Sequence, residues 1–248
     1  ANKEWGVRPS HLDGRMVSIL TEMTTNNAML NKSMHYRAYG NVFGNLCGAI
    51  YGGPAGGAEG TLVLQTAYNI EGACLYGSCW ALNFPFHLKW QSTTTREILW
   101  LQSVLSQAMS RNSNLIFLNN LFANAGPATE QLYWECANHA LATESSGGNP
   151  WGAATCRNKF TDMATPLESR FYHEVSEASF YKRMTRAQAD EICQKIMEKY
   201  EKLIPIDNYG KKIQEVYDME HLVPRKQFVD QYKRMRDELN KLGVEFAY

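Results

Sequence analysis

Short apolar runs alternate with helix-length amphipathic segments through the middle of this chain, and no other feature narrows its architecture as far. Ala73-Cys74-Leu75-Tyr76-Gly77-Ser78-Cys79 and Asn114-Leu115-Ile116-Phe117-Leu118 are short, apolar and bounded by polar residues, the pattern of a buried strand. Residues 151–156 and 28–37 are weaker strand candidates. The intervening helices have readable starts. Thr94-Thr95-Arg96-Glu97 has capping-box spacing and leads into Ile98, Leu101, Leu105 and Ala108 on one face. Thr165-Pro166-Leu167-Glu168 is a second, with Pro where its missing N–H is not needed. Thr185 and Gln188 open a third, and Gly126-Pro127 precedes a helix through Leu132, Cys136 and Leu141. Strands that alternate with helices imply a parallel sheet, because each crossover needs a helix to return the chain.

From Thr165 onward the pattern is helical and supplies no strands. Phe228, Tyr232, Met235, Leu239 and Leu242 step by four and three, and Gly243 stops that last helix. A (β/α)8 barrel takes about 250 residues, yet only four or so strand–helix units are legible in these 248 residues. Four strands do not close a barrel. Either the sheet is open, or the chain is the C-terminal half of something larger. Ala1, in place of an initiator Met, points to a processed or internal piece.

Composition excludes several classes. Lys+Arg and Asp+Glu balance at 25 each, so neither a nucleic-acid groove nor a polybasic membrane patch is expected. No run of ~18 apolar residues exists to span a bilayer. The first residues carry no signal-peptide pattern. Cys47, Cys74, Cys79, Cys136, Cys156 and Cys193 are scattered and include no C-x-x-C pair, which reads as reduced core thiols in a cytoplasmic protein. His173-Glu174-Val175-Ser176-Glu177 misses the zincin pattern, with Glu177 where the second His belongs, and reads as a solvated helix face.

In parallel α/β folds the reactive groups collect at the carboxyl ends of strands. Behind Leu118 come Asn119, Asn120, Leu121, Phe122, Ala123 and Asn124. Amides there project into the mouth of a site or cap the next helix. Asn124 reads as the cap, and Asn120 fits either role. A second loop, Asn83-Phe84-Pro85-Phe86-His87-Leu88-Lys89-Trp90, is aromatic and holds one histidine, either a site residue or a hydrogen-bonded structural one. Residues 40–60 hold eight glycines. They match neither the Walker nor the G-x-G-x-x-G pattern, which leaves turn geometry or a segment where backbone approaches a partner or a large flat ligand.

Taken in order, several segments carry a resemblance. Gly52-Gly53-Pro54-Ala55-Gly56-Gly57, His87-Leu88-Lys89-Trp90-Gln91-Ser92-Thr93-Thr94-Thr95-Arg96-Glu97 and Ala125-Gly126-Pro127-Ala128-Thr129-Glu130 come first. Glu168-Ser169-Arg170, Glu174-Val175, Tyr217-Asp218, Val223-Pro224 and Leu242-Gly243 come after them. Together these resemble the C-terminal half of the monomethylamine:corrinoid protein methyltransferases of methanogenic archaea, from about His35 to the end. The resemblance implies an α/β fold of the (β/α)8 TIM-barrel type. Residues 1–182 would be the C-terminal half of the barrel, and 183–248 a helical extension packed on it. It further implies a homo-oligomer that moves a methyl group from a methylamine-type donor to the cobalt of a separate corrinoid protein. No cofactor is then bound by the chain directly; the cobalamin-type corrinoid is carried by the partner.

The same resemblance assigns site residues. The family amide falls on Asn120, the expected catalytic residue, and a neighbouring tyrosine falls on Phe122. The two site glutamates fall on Met16 and Leu46, neither of which ionises. Leu46, Phe122, His87 and Met16 would line the substrate pocket, and Gly52, Gly53, Gly56 and Gly57 would face the corrinoid or partner. The amine-capturing pyrrolysine of the family falls upstream of Ala1, so the chain is expected to be the portion of a longer reading frame downstream of an in-frame amber codon. Loss of the carboxylates implies a less polar pocket and a different methyl donor. Two other readings stay open: a barrel relative that keeps the docking surface but not the chemistry, and an ordinary α/β enzyme with an open sheet.

Overall fold

The computed structural model describes residues 15–19, 24–153 and 160–246. In chain order, β1 (Arg15–Ile19), α1 (Asn27–Ala38), β2 (Phe43–Cys47), β3 (Ile50–Tyr51) and α2 (Ala58–Glu71) come first. Next are β4 (Trp80–Asn83), β5 (Phe86–His87), α3 (Arg96–Asn112), β6 (Ile116–Leu121), α4 (Glu130–Glu144) and β7 (Asn149–Ala153). The remainder is α5 (Pro166–Tyr181), α6 (Arg186–Tyr200), α7 (Ile213–Val216), β8 (Tyr217–Asp218), β9 (Val223–Pro224) and α8 (Lys226–Leu242).

Five strands form one parallel sheet in the order β1-β2-β4-β6-β7. Every neighbour in that sheet is the next of its strands in the chain, and the order never reverses. A doubly wound sheet reverses once and takes helices on both faces, whereas a barrel advances in one direction with its helices outside. The residue pattern agrees. Val17, Ile19, Phe43 and Cys47 pack with Tyr68 and Tyr76 from the α2 side, and Ala81 and Phe117 pack with Leu105 and Met109 of α3. Their alternates face the other way, because side chains along a strand switch sides at every residue. In register, Met16 pairs with Gly44, Trp80 and Ile116, and Ser18 with Leu46, Leu82 and Leu118. Met16, Leu46, Trp80 and Leu118 on this inner face are only half-buried, and Ile116 is 60% exposed. The sheet is therefore half of a closed cylinder seen from inside. Behind it, α4, α5, α6 and α8 share one core with Leu121.

Several local expectations are corrected. The run 73–79 is not a strand: residues Gly72–Tyr76 extend α2 as a π-turn that buries Tyr76 while Cys74 and Leu75 stay exposed, and the strand begins at Trp80. Residues 28–37 are helical, opened by Asn26, whose side chain accepts from the Met29 N–H at 3.0 Å. The fourth strand expected there is replaced by β1 and β2. In β2, Gly44 and Asn45 interrupt the apolar pattern. Asn45 is nonetheless buried, because its amide donates to the Tyr68 carbonyl and accepts from Ser78. The last third holds a short antiparallel ribbon, β8–β9. Cys74 and Cys79 are exposed thiols and not core ones; Cys156 lies outside the described residues. His173 Nε2 lies 3.3 Å from Glu177, with His173 exposed and Glu177 half-buried.

Candidate active site at the strand carboxyl ends

Asn120 is the last inner-face residue of β6. Asn119 points the other way, donating to Ser106 of α3 at 2.9 Å, and Leu121 returns to the helix-side core. Asn120 is thereby turned inward, level with Phe84 by strand register. It is 8% exposed. Among the described residues its side-chain amide makes no hydrogen bond. An amide left with donor and acceptor capacity on a barrel face is available to a ligand.

Its surroundings are aromatic. The Phe84 ring lies over Gly48, where a Cβ would come within 2.4 Å of it. Phe122 meets Phe84 edge-on at 5.6 Å between centroids, and Phe86 stacks on Phe84 at 6.4 Å. Leu46 sits one layer lower, about 7 Å along the strand, and Met16 two layers lower, about 13 Å, at a rise of ~3.3 Å per residue. The structure thus brings Asn120, Phe122 and Leu46 to one face and sets Met16 at its far end.

His87 belongs to a different group. It follows Phe86 on β5, so its ring falls on the other side of that strand, against Tyr51 and Trp90 at 4.9 and 6.1 Å. Its Nδ1 accepts from the Lys89 N–H at 3.1 Å. Burial lowers its pKa, opposed by Glu97 and reinforced by Lys89. The glycine segment is next to it. Leu88 N–H donates to the Tyr51 carbonyl, and a Cβ on Gly52 would lie 3.9 Å from that of Leu88. The Gly52 N–H closes a turn onto the Gly56 carbonyl at 2.9 Å. Gly52, Gly56 and Gly57 are exposed and Gly53 half-buried.

Two expected helix caps have other partners, and these explain how the rim is held. Thr94 does not cap α3, which starts one residue later behind Thr95. Its hydroxyl donates to Glu135 at 2.6 Å. Asn124 does not cap α4; Thr129 does, accepting from Leu132 N–H at 3.2 Å. The Asn124 N–H goes instead to Glu135 at 2.5 Å. Thr93 joins the same two loops: its N–H donates to the Phe122 carbonyl at 2.8 Å, and its hydroxyl accepts from Phe122 N–H at 2.9 Å. Glu135, Thr93 and Thr94 escaped sequence reasoning because each reads locally as ordinary helix chemistry. The available signal was Gln131, Glu135 and His139 recurring every four residues along a helix that also carries Leu132, Trp134, Cys136, Ala137, Ala140 and Leu141.

A cavity of about 700 Å³ lies outside the sheet, between α2, α3, α4 and α6, with Arg96, Trp100, Asn138 and Met197 in its wall. None of the sequence-predicted site residues lines it. Among the described residues no cluster of His, Cys, Asp or Glu could hold a metal, and no helix is long and apolar enough to cross a membrane.

A one-way parallel sheet with helices on one face, and an amide at its carboxyl edge, defines part of a (β/α)8-type barrel. The chain belongs to the monomethylamine methyltransferase MtmB family, whose sequence model matches residues 2–244. It is 29% identical over 235 residues to a monomethylamine methyltransferase of Methanosarcina acetivorans and 28% identical to one of Methanosarcina barkeri. Each alignment covers 94% of this chain and 51% of the relative, so the chain spans about half the length of the curated relatives it matches. The crystal structure of the Methanosarcina barkeri enzyme superposes with a TM-score of 0.90 at 28% identity, again over 94% of this chain and 51% of that one. A hydroxylamine complex of MtmB superposes equally well, with a TM-score of 0.90.

Proposed function

We propose that this chain supplies the rim of a methyltransferase that moves a methyl group from a methylamine-type donor to the cobalt of a corrinoid protein. The observation that carries the reading is the buried, unpartnered Asn120 amide among Phe84, Phe86 and Phe122, in a chain of this family. Aromatic faces attract methylated ammonium groups through the ring quadrupole, worth about 0.5–2 kcal/mol each. Asn120 would orient the donor by hydrogen bonding, while the rings exclude water.

The corrinoid is carried by the partner, and the rim fits its approach, since the exposed glycines Gly52, Gly56 and Gly57 put backbone at the surface with no side chain in the way. When bound, it supplies the cobalt that accepts the methyl group. Homo-oligomer formation and a cytoplasmic location belong to the same proposal; the free thiols Cys47, Cys136 and Cys193 support a reducing compartment.

One observation favours a second reading. No Asp or Glu occurs in β1, β2, β4 or β6, and the inner face offers Leu46 and Met16 where the resemblance places carboxylates. A face without proton acceptors suits a different methyl donor, or a binding subunit that performs no transfer. Mixing the protein with a corrinoid protein and candidate methylamines, and monitoring cobalt methylation by visible absorbance, separates the readings. Transfer is expected, reduced roughly 10- to 1000-fold by Asn120→Ala, the scale for a lost positioned donor. Full methylation by Asn120→Ala would remove that residue from the site, and no transfer with any amine would leave the binding subunit.

A further inference from the structure

We infer that two buried polar residues of α4, Gln131 and Glu135, position the segment that carries Asn120, with Glu135 as its central clasp. The inference rests on reading Asn120 as the site amide. Residues four apart share one helix face. These two are 3% and 0% exposed, on a helix with twelve of its fifteen residues buried. Polar side chains at such depth need partners, and both find them at Asn124 and Ala125, just behind Asn120.

Glu135 accepts from the consecutive backbone N–H groups of Asn124 and Ala125 at 2.5 and 3.0 Å. It also accepts from the Thr94 hydroxyl at 2.6 Å and the Gln131 amide at 3.0 Å. Every one of these neighbours donates as placed, which suits a carboxylate. Burial raises the Glu135 pKa, and the four hydrogen bonds offset only part of that rise. Gln131 reaches the same loop through the Asn124 side-chain oxygen at 3.4 Å. One turn further on, His139 turns elsewhere: its Nδ1 lies 2.7 Å from the Tyr172 hydroxyl and its Nε2 has no partner among the described residues. Through Thr94 the clasp extends outward, since the Thr94 carbonyl accepts from the Tyr200 hydroxyl at 2.7 Å, which in turn accepts from Asn138 at 3.1 Å. Glu135 thus joins the loop behind β5 to the loop behind β6 without itself reaching the inner face. It is a positioning residue.

Glu135→Gln keeps the shape but turns an NH2 toward donors. In the full 248-residue chain labelled with nitrogen-15, hydrogen exchange at the Asn124 and Ala125 amides is expected to speed up about 10- to 100-fold, as for a local opening. The Asn120 side-chain NH2 resonances are expected to shift, the amides of α8 to keep their protection, and Glu135→Asp to restore part of the pattern. A purely structural acid would instead loosen α8 and the rim alike. That result, or unmoved Asn120 resonances, overturns the inference. If Glu135→Gln does not fold, Gln131→Met carries the same test with a smaller expected shift, and an unchanged Asn124 signal then overturns it. These signals report position and not transfer. No cobalt methylation with any amine would therefore sink the proposed function and leave the clasp standing.

Discussion

Two glycines, Gly44 in β2 and Gly48 just behind it, and one histidine of α4 show how single residues fix the packing. A Cβ on Gly48 would meet the Phe84 ring at 2.4 Å, and one on Gly44 would meet Trp80 at 2.2 Å. Neither ring can withdraw without leaving the inner face. Gly48→Ala is expected to lower stability by about 1–3 kcal/mol, the usual cost of overpacking, read from urea unfolding; an unchanged midpoint would mean the ring is not seated there. His139 gives a pH prediction. Burial drops its pKa from 6.5 to about 3, so the unfolded chain takes up that proton first. The neutral ring's contribution is complete above pH 6.5 and declines toward pH 3, by about 1.4 kcal/mol per unit. His139→Gln does not titrate. The stability difference between the chain and that variant should fall by about 2 kcal/mol from pH 6.5 to pH 5. A flat difference would show the ring to be accessible to protons.

Among the helices, legibility depended on where each polar side chain spends its hydrogen bonds. The start of α6 was readable because Thr185 and Gln188 form the capping box that their spacing implies, and the end of α8 because Gly243 adopts a left-handed φ of 104°. The start of α3 was not, since Thr94 serves Glu135 across the fold and Thr95 makes no cap bond. Sequence spacing is blind to a partner 41 positions away. A matched pair of substitutions tests this. Thr185→Ala is expected to cost about 1 kcal/mol as a lost cap. Thr95→Val, which removes a buried hydroxyl without a partner, should fall within about 0.5 kcal/mol of neutral or stabilise. Denaturation midpoints that rank the other way would reverse the assignment of caps. The strands failed for a related reason. Gly44, Asn45 and Asn83 look like breaks in β2 and β4, yet Asn45 is satisfied sideways by Tyr68 and Ser78, and the Asn83 oxygen accepts from Gln65. In the site, Asn120 was reached through resemblance and its inward turn through strand alternation, whereas Phe84 and Glu135 needed coordinates.

For the molecule as a whole, the parallel sheet was implied by alternating apolar runs and helices, although three of its five strands, β1, β2 and β4, were not recognised in advance. The consequence for behaviour in water is an apolar inner face, with Ile116 60% and Trp151 48% exposed, on a chain of zero formal net charge. Such a patch recruits apolar dyes and neighbours. The native chain is expected to enhance the fluorescence of an anilinonaphthalene dye, and Ile116→Lys to reduce that signal without changing the unfolding midpoint. No change in dye signal would mean the face is already covered. The sheet also dictates the arithmetic of what could cover it. Among the described residues five staves of an eight-staved ring are in place, so closing the cylinder takes three more, between β1 at one margin and β7 at the other.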